Sequence, residues 1–222
     1  KGDFNSAKKA LYDFRDRFPK DYKIQEAMVA KLMDYNNKKN NKKKVFEWIR
    51  KINNKEFKIS KKYAKKLKAL ALAMRFEGVE KFNTKGDKVN ALKGYLEIFK
   101  STETSTDAKK NAAYNIAVLY YELKYPVKNY IWLKKSLGLM SARDVLKFQT
   151  SLLLMISEIF ERRQFEKSSE LYKISFRKIC KNKSKNKSIF FKNASVIYLA
   201  AQMYQETIDI LKYHSACRVS SK

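Results

Sequence analysis

A phrase recurs along this chain at a nearly fixed interval. It opens as Gly2-Asp3-Phe4-Asn5-Ser6-Ala7 and returns as Gly86-Asp87-Lys88-Val89-Asn90-Ala91. In both copies a turn-forming Gly-Asp leads into helical sequence, and a small residue follows the glycine by five positions. Weaker copies anchor on Val45, Asn129, Ser168 and Thr207, so the anchors fall at 7, 45, 91, 129, 168 and 207, spaced 38, 46, 38, 39 and 39. A period in this range is the mark of stacked helical hairpins, each too small to bury its own apolar face.

The spacing around each anchor gives the unit. Before Ser168 lie Leu152, Met155, Ile156 and Ile159, one face of a first helix; after it lie Tyr172 and Ser175, one face of a second. The template predicts first helices at 22–38, 61–83, 107–124, 142–163 and 188–202, and second helices at 4–18, 43–53, 87–101, 127–139, 165–181 and 204–216. The units are then 1–20 (a second helix only), 22–57, 61–104, 106–140, 142–182 and 188–219, a single domain over 1–222. The unit at 61–104 is irregular. Arg75 stands where an apolar residue is expected, and the 46-residue spacing asks for a longer helix or loop near 53–66. Five glycines and two prolines are too few for a β fold with frequent turns. The small anchors Ala7, Ala91, Ser168 and Thr207 are expected to be buried where the helices cross.

These residues resemble the tetratricopeptide repeat family. Gly2, Asp3, Phe4, Ala7, Leu11, Phe14 and Pro19 follow its second-helix pattern, and Ala112–Tyr121 looks like its first-helix pattern. The opening segment GDFNSAKKALYDFRDRFPKD is similar to the variety found in bacterial cell-envelope proteins of the Tol–Pal and outer-membrane assembly type. The resemblance implies a right-handed α-α superhelix of about five and a half repeats. It also implies a protein-binding scaffold, in the envelope or periplasm. The chain departs from the family in its longer period, in Val45 and Asn129 as anchors, and in its single closing proline.

The formal charge is +28, from 50 basic and 22 acidic residues, and only nine of the basic residues are arginine. Such a field attracts polyanions. The preference for lysine argues for diffuse attraction rather than base or bidentate phosphate recognition. No apolar run approaches the roughly 20 residues of a membrane span. The chain opens at Lys1, at the turn before a second helix, and reads as part of a longer protein. Cys180 and Cys217 match no metal spacing. As residues of neighbouring parallel helices, about 8–10 Å apart, they are expected to stay free thiols.

Nothing points to catalysis, a cofactor or a metal. His214, the single histidine, falls at a packing position, and Glu158 and Glu161 read as a solvated pair. A concave groove is expected where first-helix residues point away from their second helices. These are Asn111, Tyr114, Val118, Tyr121 and Glu122; Thr150, Leu153, Ser157, Phe160 and Glu161; and Ile189, Lys192, Val196 and Leu199. The mixture of aromatic, amide, hydroxyl and acidic groups suits an extended peptide or a partner helix. Lysines crowd the edges, with Lys42, Lys43 and Lys44 on one side and Lys181, Lys183, Lys185 and Lys187 on the other. The expected function is a non-enzymatic scaffold that holds a protein or peptide in the groove while a lysine rim steers it to an anionic partner or surface. A nucleic-acid-binding superhelix and a regulatory helical domain of a larger enzyme are the alternatives.

Overall fold

A computed structural model describes residues 3–102, 104–180, 187–200 and 202–219. They form twelve helices and no strand. By contacts the chain divides into two compact units, Lys1–Lys81 and Phe82–Lys222.

In the first unit, α1 (Phe4–Arg17) packs on α2 (Tyr22–Lys38), and α2 on α3 (Lys42–Asn53). Helix α4 (Lys61–Thr84) begins here and ends just beyond the boundary. The core gathers Leu11, Val29, Leu32, Val45, Trp48 and Ile52. Residues 54–60 form the loop anticipated from the long repeat. Phe57 is buried under the edge of Tyr12 and against Trp48. The Gln25 side-chain amide oxygen accepts the Lys58 N–H at 3.0 Å, and the Glu26 carboxylate accepts the Ser60 N–H at 2.7 Å. In α4, Met74 takes the buried position and Arg75 points out.

The second unit holds α5 (Lys88–Lys100), α6 (Thr106–Glu122), α7 (Pro126–Leu139), α8 (Ala142–Lys147), α9 (Gln149–Glu161), α10 (Phe165–Ile179), α11 (Lys187–Ala200) and α12 (Tyr204–Val219). Chain neighbours pack in pairs. Pairs also touch like to like: α7 on α10, α6 on α9, and α9 on α11. One core runs through these contacts, from Ala117 and Leu133 to Tyr198 and Ile210.

The period has a structural cause. The five turns that lead into a second helix each contain a residue in the left-handed region, Asn40 (φ 52°), Gly86 (76°), Lys124 (61°), Arg163 (57°) and Gln202 (60°), and a sixth, Lys55 (60°), closes α3. Each donates its N–H to the carbonyl three residues back, and the next residue donates to the carbonyl five back. At Lys124 these bonds are Lys124 N to Tyr121 O at 3.0 Å and Tyr125 N to Tyr120 O at 2.9 Å. This double bond caps the orphan carbonyls of the ending helix and reverses the chain. Five residues after each turn residue comes Val45, Ala91, Asn129, Ser168 or Thr207, and all five are buried. Asn129 is tolerated because its Nδ2 donates to the Ala117 carbonyl at 2.8 Å. The Thr207 hydroxyl donates to the Met203 carbonyl at 2.9 Å.

Three expectations are corrected. Ala7 is exposed, because α1 turns Phe4 and Leu11 towards α2, Phe4 stacking on Tyr35 at 5.0 Å, and leaves Ala7 facing solvent. The helix expected over 142–163 is two helices. Ser141 and Asp144 form a reciprocal cap that starts α8, and the backbone leaves helical geometry at Phe148. Its ring stacks on Tyr114, with centroids 4.5 Å apart. The third correction is that Cys180 and Cys217 are bonded, not free, with Cα atoms 4.9 Å apart. Cys180 is the C-cap of α10 and Cys217 lies near the end of α12. Helix ends can converge where helix axes keep their distance. Closing a loop of 37 residues restricts the unfolded chain by about 4 kcal/mol.

Three outcomes are expected. Reducing the bridge, or replacing Cys217 by Ser, should lower unfolding free energy by about 2–4 kcal/mol in urea titrations. Lys124→Gly should raise it by about 0.5–1 kcal/mol, because glycine enters the left-handed region without the Cβ penalty. Gly86→Ala should lower it by a similar amount, since φ alone opposes the change: a Cβ there meets nothing within 4 Å.

Candidate binding groove

Helix α9 is apolar all round in its middle, Leu152-Leu153-Leu154-Met155-Ile156. Leu152, Met155, Ile156 and Ile159 turn into the core. The remaining face must point elsewhere, and α11 runs beside it. Between them lies a groove of about 430 Å³, lined by Gln149, Thr150, Leu153, Leu154, Ser157, Asn193, Val196 and Ile197. Its apolar centre is open to solvent, with Leu154 55% and Val196 56% exposed. Two amides and two hydroxyls stand around that centre. The groove therefore offers apolar contact to a partner side chain and hydrogen bonds to a partner backbone.

The structure brings together Thr150, Leu153, Ser157 and Val196 from the expected set. Lys192 is exposed on α11, one residue before Asn193. Leu199 is exposed nearer the helix end. The aromatics lie elsewhere. Tyr114 is stacked on Phe148, and Tyr114, Val118 and Tyr121 are half-buried against the core. Phe160 meets Tyr198 edge-on at 5.5 Å and Phe165 at 5.0 Å. The Lys124 ammonium lies 5.0 Å from the Tyr121 ring centre. Asn111 and Glu161 are exposed. Glu122 pairs with Lys88 at 3.0 Å.

Sequence reasoning missed Leu154, Gln149, Asn193 and Ile197. The run 152–156 has no polar residue to mark its outer face, so no periodicity singles out Leu154. Asn193 and Gln149 carry no signal beyond their neighbours.

The edge lysines are partly neutralised. Lys42 pairs with Glu77 at 2.5 Å, and Lys44 with Glu47 at 3.2 Å, while Lys43 is exposed. Lys181, Lys183 and Lys185 lie outside the described residues, and Lys187 opens α11. His214 stacks on Phe191 at 4.6 Å. Glu158 pairs with Arg162 at 3.2 Å and Lys124 at 3.6 Å. No cluster of three or more potential metal ligands occurs among the described residues.

Two polar clusters tie neighbouring pairs together. Tyr130 of α7 donates to Glu170 of α10, which also pairs with Lys134 at 2.7 Å. Lys110 of α6 pairs with Asp144 of α8 at 3.0 Å. Burial of Asp144 opposes its ionisation. The Ser141 N–H and hydroxyl and the Lys110 ammonium outweigh that effect and bring its carboxyl down to about 2.

No family model matches the chain, and no curated protein matches it.

A carboxyl with a lowered folded pKa stabilises the fold above its unfolded value of 3.8. The contribution, on the order of 2 kcal/mol, disappears as pH falls from about 4 towards 2. Asp144→Asn should therefore lower unfolding free energy at pH 7 by about 1–2 kcal/mol. Its difference from the native chain should close near pH 2, measured by chemical denaturation across pH.

Proposed function

We propose that this chain is a non-enzymatic scaffold of the tetratricopeptide-repeat kind, in which the helix pairs of Phe82–Lys222 stack in that family's right-handed manner. The α9–α11 groove holds a peptide or a helix of a partner protein. The observation that carries this reading is the open apolar centre at Leu154 and Val196, set among Gln149, Thr150, Ser157 and Asn193. A pair of aliphatic side chains more than half exposed in a concave site suits a hydrophobic anchor. The amides and hydroxyls suit partner backbone. The recurring left-handed turn with its buried anchor supports the repeat architecture. The lysine-rich surface steers the scaffold to an anionic partner.

The Cys180–Cys217 bridge supports placement in an oxidising compartment. A bacterial envelope assembly, the setting implied by the resemblance of residues 2–21, provides one.

The groove reading is tested by a photo-crosslinker at Leu154 and by the double variant Leu154→Ser, Val196→Ser. Crosslinking in native extract should yield a discrete polypeptide adduct, and the double variant without crosslinker should lose capture of that polypeptide by at least about tenfold, as expected when a central apolar anchor is removed. The thermal midpoint should stay nearly unchanged. Retained capture, or no adduct at position 154, would refute the groove as the binding surface.

A further inference from the structure

The proposed anionic partner has a better address than the groove edges. Residues 57–76 contain no acid, and Lys58, Lys61, Lys62, Lys65, Lys66 and Lys68 crowd its first half. All six are exposed. Several lysines elsewhere have company. Lys42, Lys51, Lys88, Lys110 and Lys134 hold carboxylates, and Lys128, Lys135 and Lys147 lie over aromatic rings. None of the six near the start of α4 makes an ion pair or a ring contact among the described residues. The nearby acids are already engaged. Glu26 accepts the Ser60 N–H, Glu56 pairs with Lys51 and Arg15, and Glu77 pairs with Lys42 and Lys81.

This arrangement works against the helix that carries it. The first turn of α4 has no acid, and Lys61 and Lys62 sit at its positive dipole end. Lys61 with Lys65 and Lys62 with Lys66 are like charges one turn apart, which weakens the helix. On a helical projection the five helical lysines span an arc of about 160°. Leu67, Leu70, Ala71 and Met74 face the unit core on the other side. The next residues outward are Ala69 and Ala73, small and exposed. Between Lys61 and Lys68 the face holds no Arg, Asn, Gln, Ser or Thr with which to read a base edge or fork a phosphate, and the exposed Arg75 lies two turns beyond Lys68. The loop before it is pinned to α2 through Gln25 and Glu26, so the face is held in place.

We propose that this face of α4 docks on an anionic phospholipid bilayer, lying along the headgroups as a peripheral contact. A cluster of lysines on one helix face is drawn to such a surface by each cation in turn, and nothing else is required of the residues there. No helix among the described residues is long and apolar enough to cross a membrane, so the contact is with the surface alone. The inference locates the anionic-surface part of the proposed function and does not depend on the groove.

The test is sedimentation of the full chain with vesicles of phosphatidylcholine containing phosphatidylglycerol, against vesicles of phosphatidylcholine alone. Two variants of equal charge are compared: Lys61→Gln, Lys62→Gln, Lys65→Gln, Lys66→Gln, and a scattered set, Lys85→Gln, Lys93→Gln, Lys100→Gln, Lys212→Gln. The native chain should bind only the anionic vesicles, more weakly as salt rises. The α4 variant should bind at least about tenfold more weakly, with unchanged helicity by circular dichroism. The scattered variant should stay within about twofold of native, because dispersed cations do not act together at a surface. The Leu154→Ser, Val196→Ser protein should bind vesicles as the native chain does, which separates this inference from the groove. Equal loss in the two lysine variants, equal binding to neutral vesicles, or displacement from vesicles by substoichiometric single-stranded RNA would overturn it. The last result would mark the face as a nucleic-acid site instead.

Discussion

The structure depends on one backbone conformation that recurs at the five turns from a first helix to a second. A single residue with φ between 52° and 76° ends each first helix. Two hydrogen bonds satisfy carbonyls that the helix would otherwise leave open. The turn fixes where the second helix starts and so which residue meets the first helix at closest approach. That residue is always five positions on. A side chain there is buried whatever its chemistry, and the chain adapts in different ways. Ala91 is small. Val45 fills space. Asn129 uses its amide on the Ala117 carbonyl, and Thr207 turns its hydroxyl back to its own helix. Left unpaired, a buried amide or hydroxyl would cost several times what one hydrogen bond contributes.

This explains which parts of the fold were legible. Gly86 advertises its turn, because glycine is the residue expected at positive φ. Lys124, Arg163 and Gln202 do not, since nothing in their chemistry signals it. The period survives because burial at the anchor is the stronger constraint. Helix positions followed from it, including the loop near 53–60. The break at Phe148 was not legible, because neither glycine nor proline marks it and the backbone leaves helical geometry at an aromatic residue. The Cys180–Cys217 bridge was hidden for another reason. Helix spacing describes axes, and these cysteines lie at helix ends.

The groove was legible in outline and not in content. Choosing first-helix residues that face away from their partners found Thr150, Leu153, Ser157 and Val196. It also chose aromatics that the structure spends on packing. Tyr114 and Phe160 are large, and a large ring near a helix crossing gains more from a neighbouring ring than from water. Leu154 and Val196 remain open because Ser157 and Asn193 beside them are small or polar and draw no further helix across.

Charge follows a related logic. Several lysines rest on a carboxylate or a ring, but the formal +28 is the excess over all the acids, which such pairs do not remove. What matters for a distant partner is the part left uncompensated over a continuous surface, because cations farther apart than about 8–10 Å are screened from one another in physiological salt. Lys42 and Lys44 fail that criterion through Glu77 and Glu47. The lysines at the start of α4 meet it, and they do so at the end of a helix whose dipole would favour acids. A sequence that keeps like charges in successive turns, against local stability, is explained by an opposite charge outside the chain. In the proposed reading the groove and the basic face divide the work: one would select a polypeptide by shape and hydrogen bonding, and the other would meet an anionic surface by charge alone.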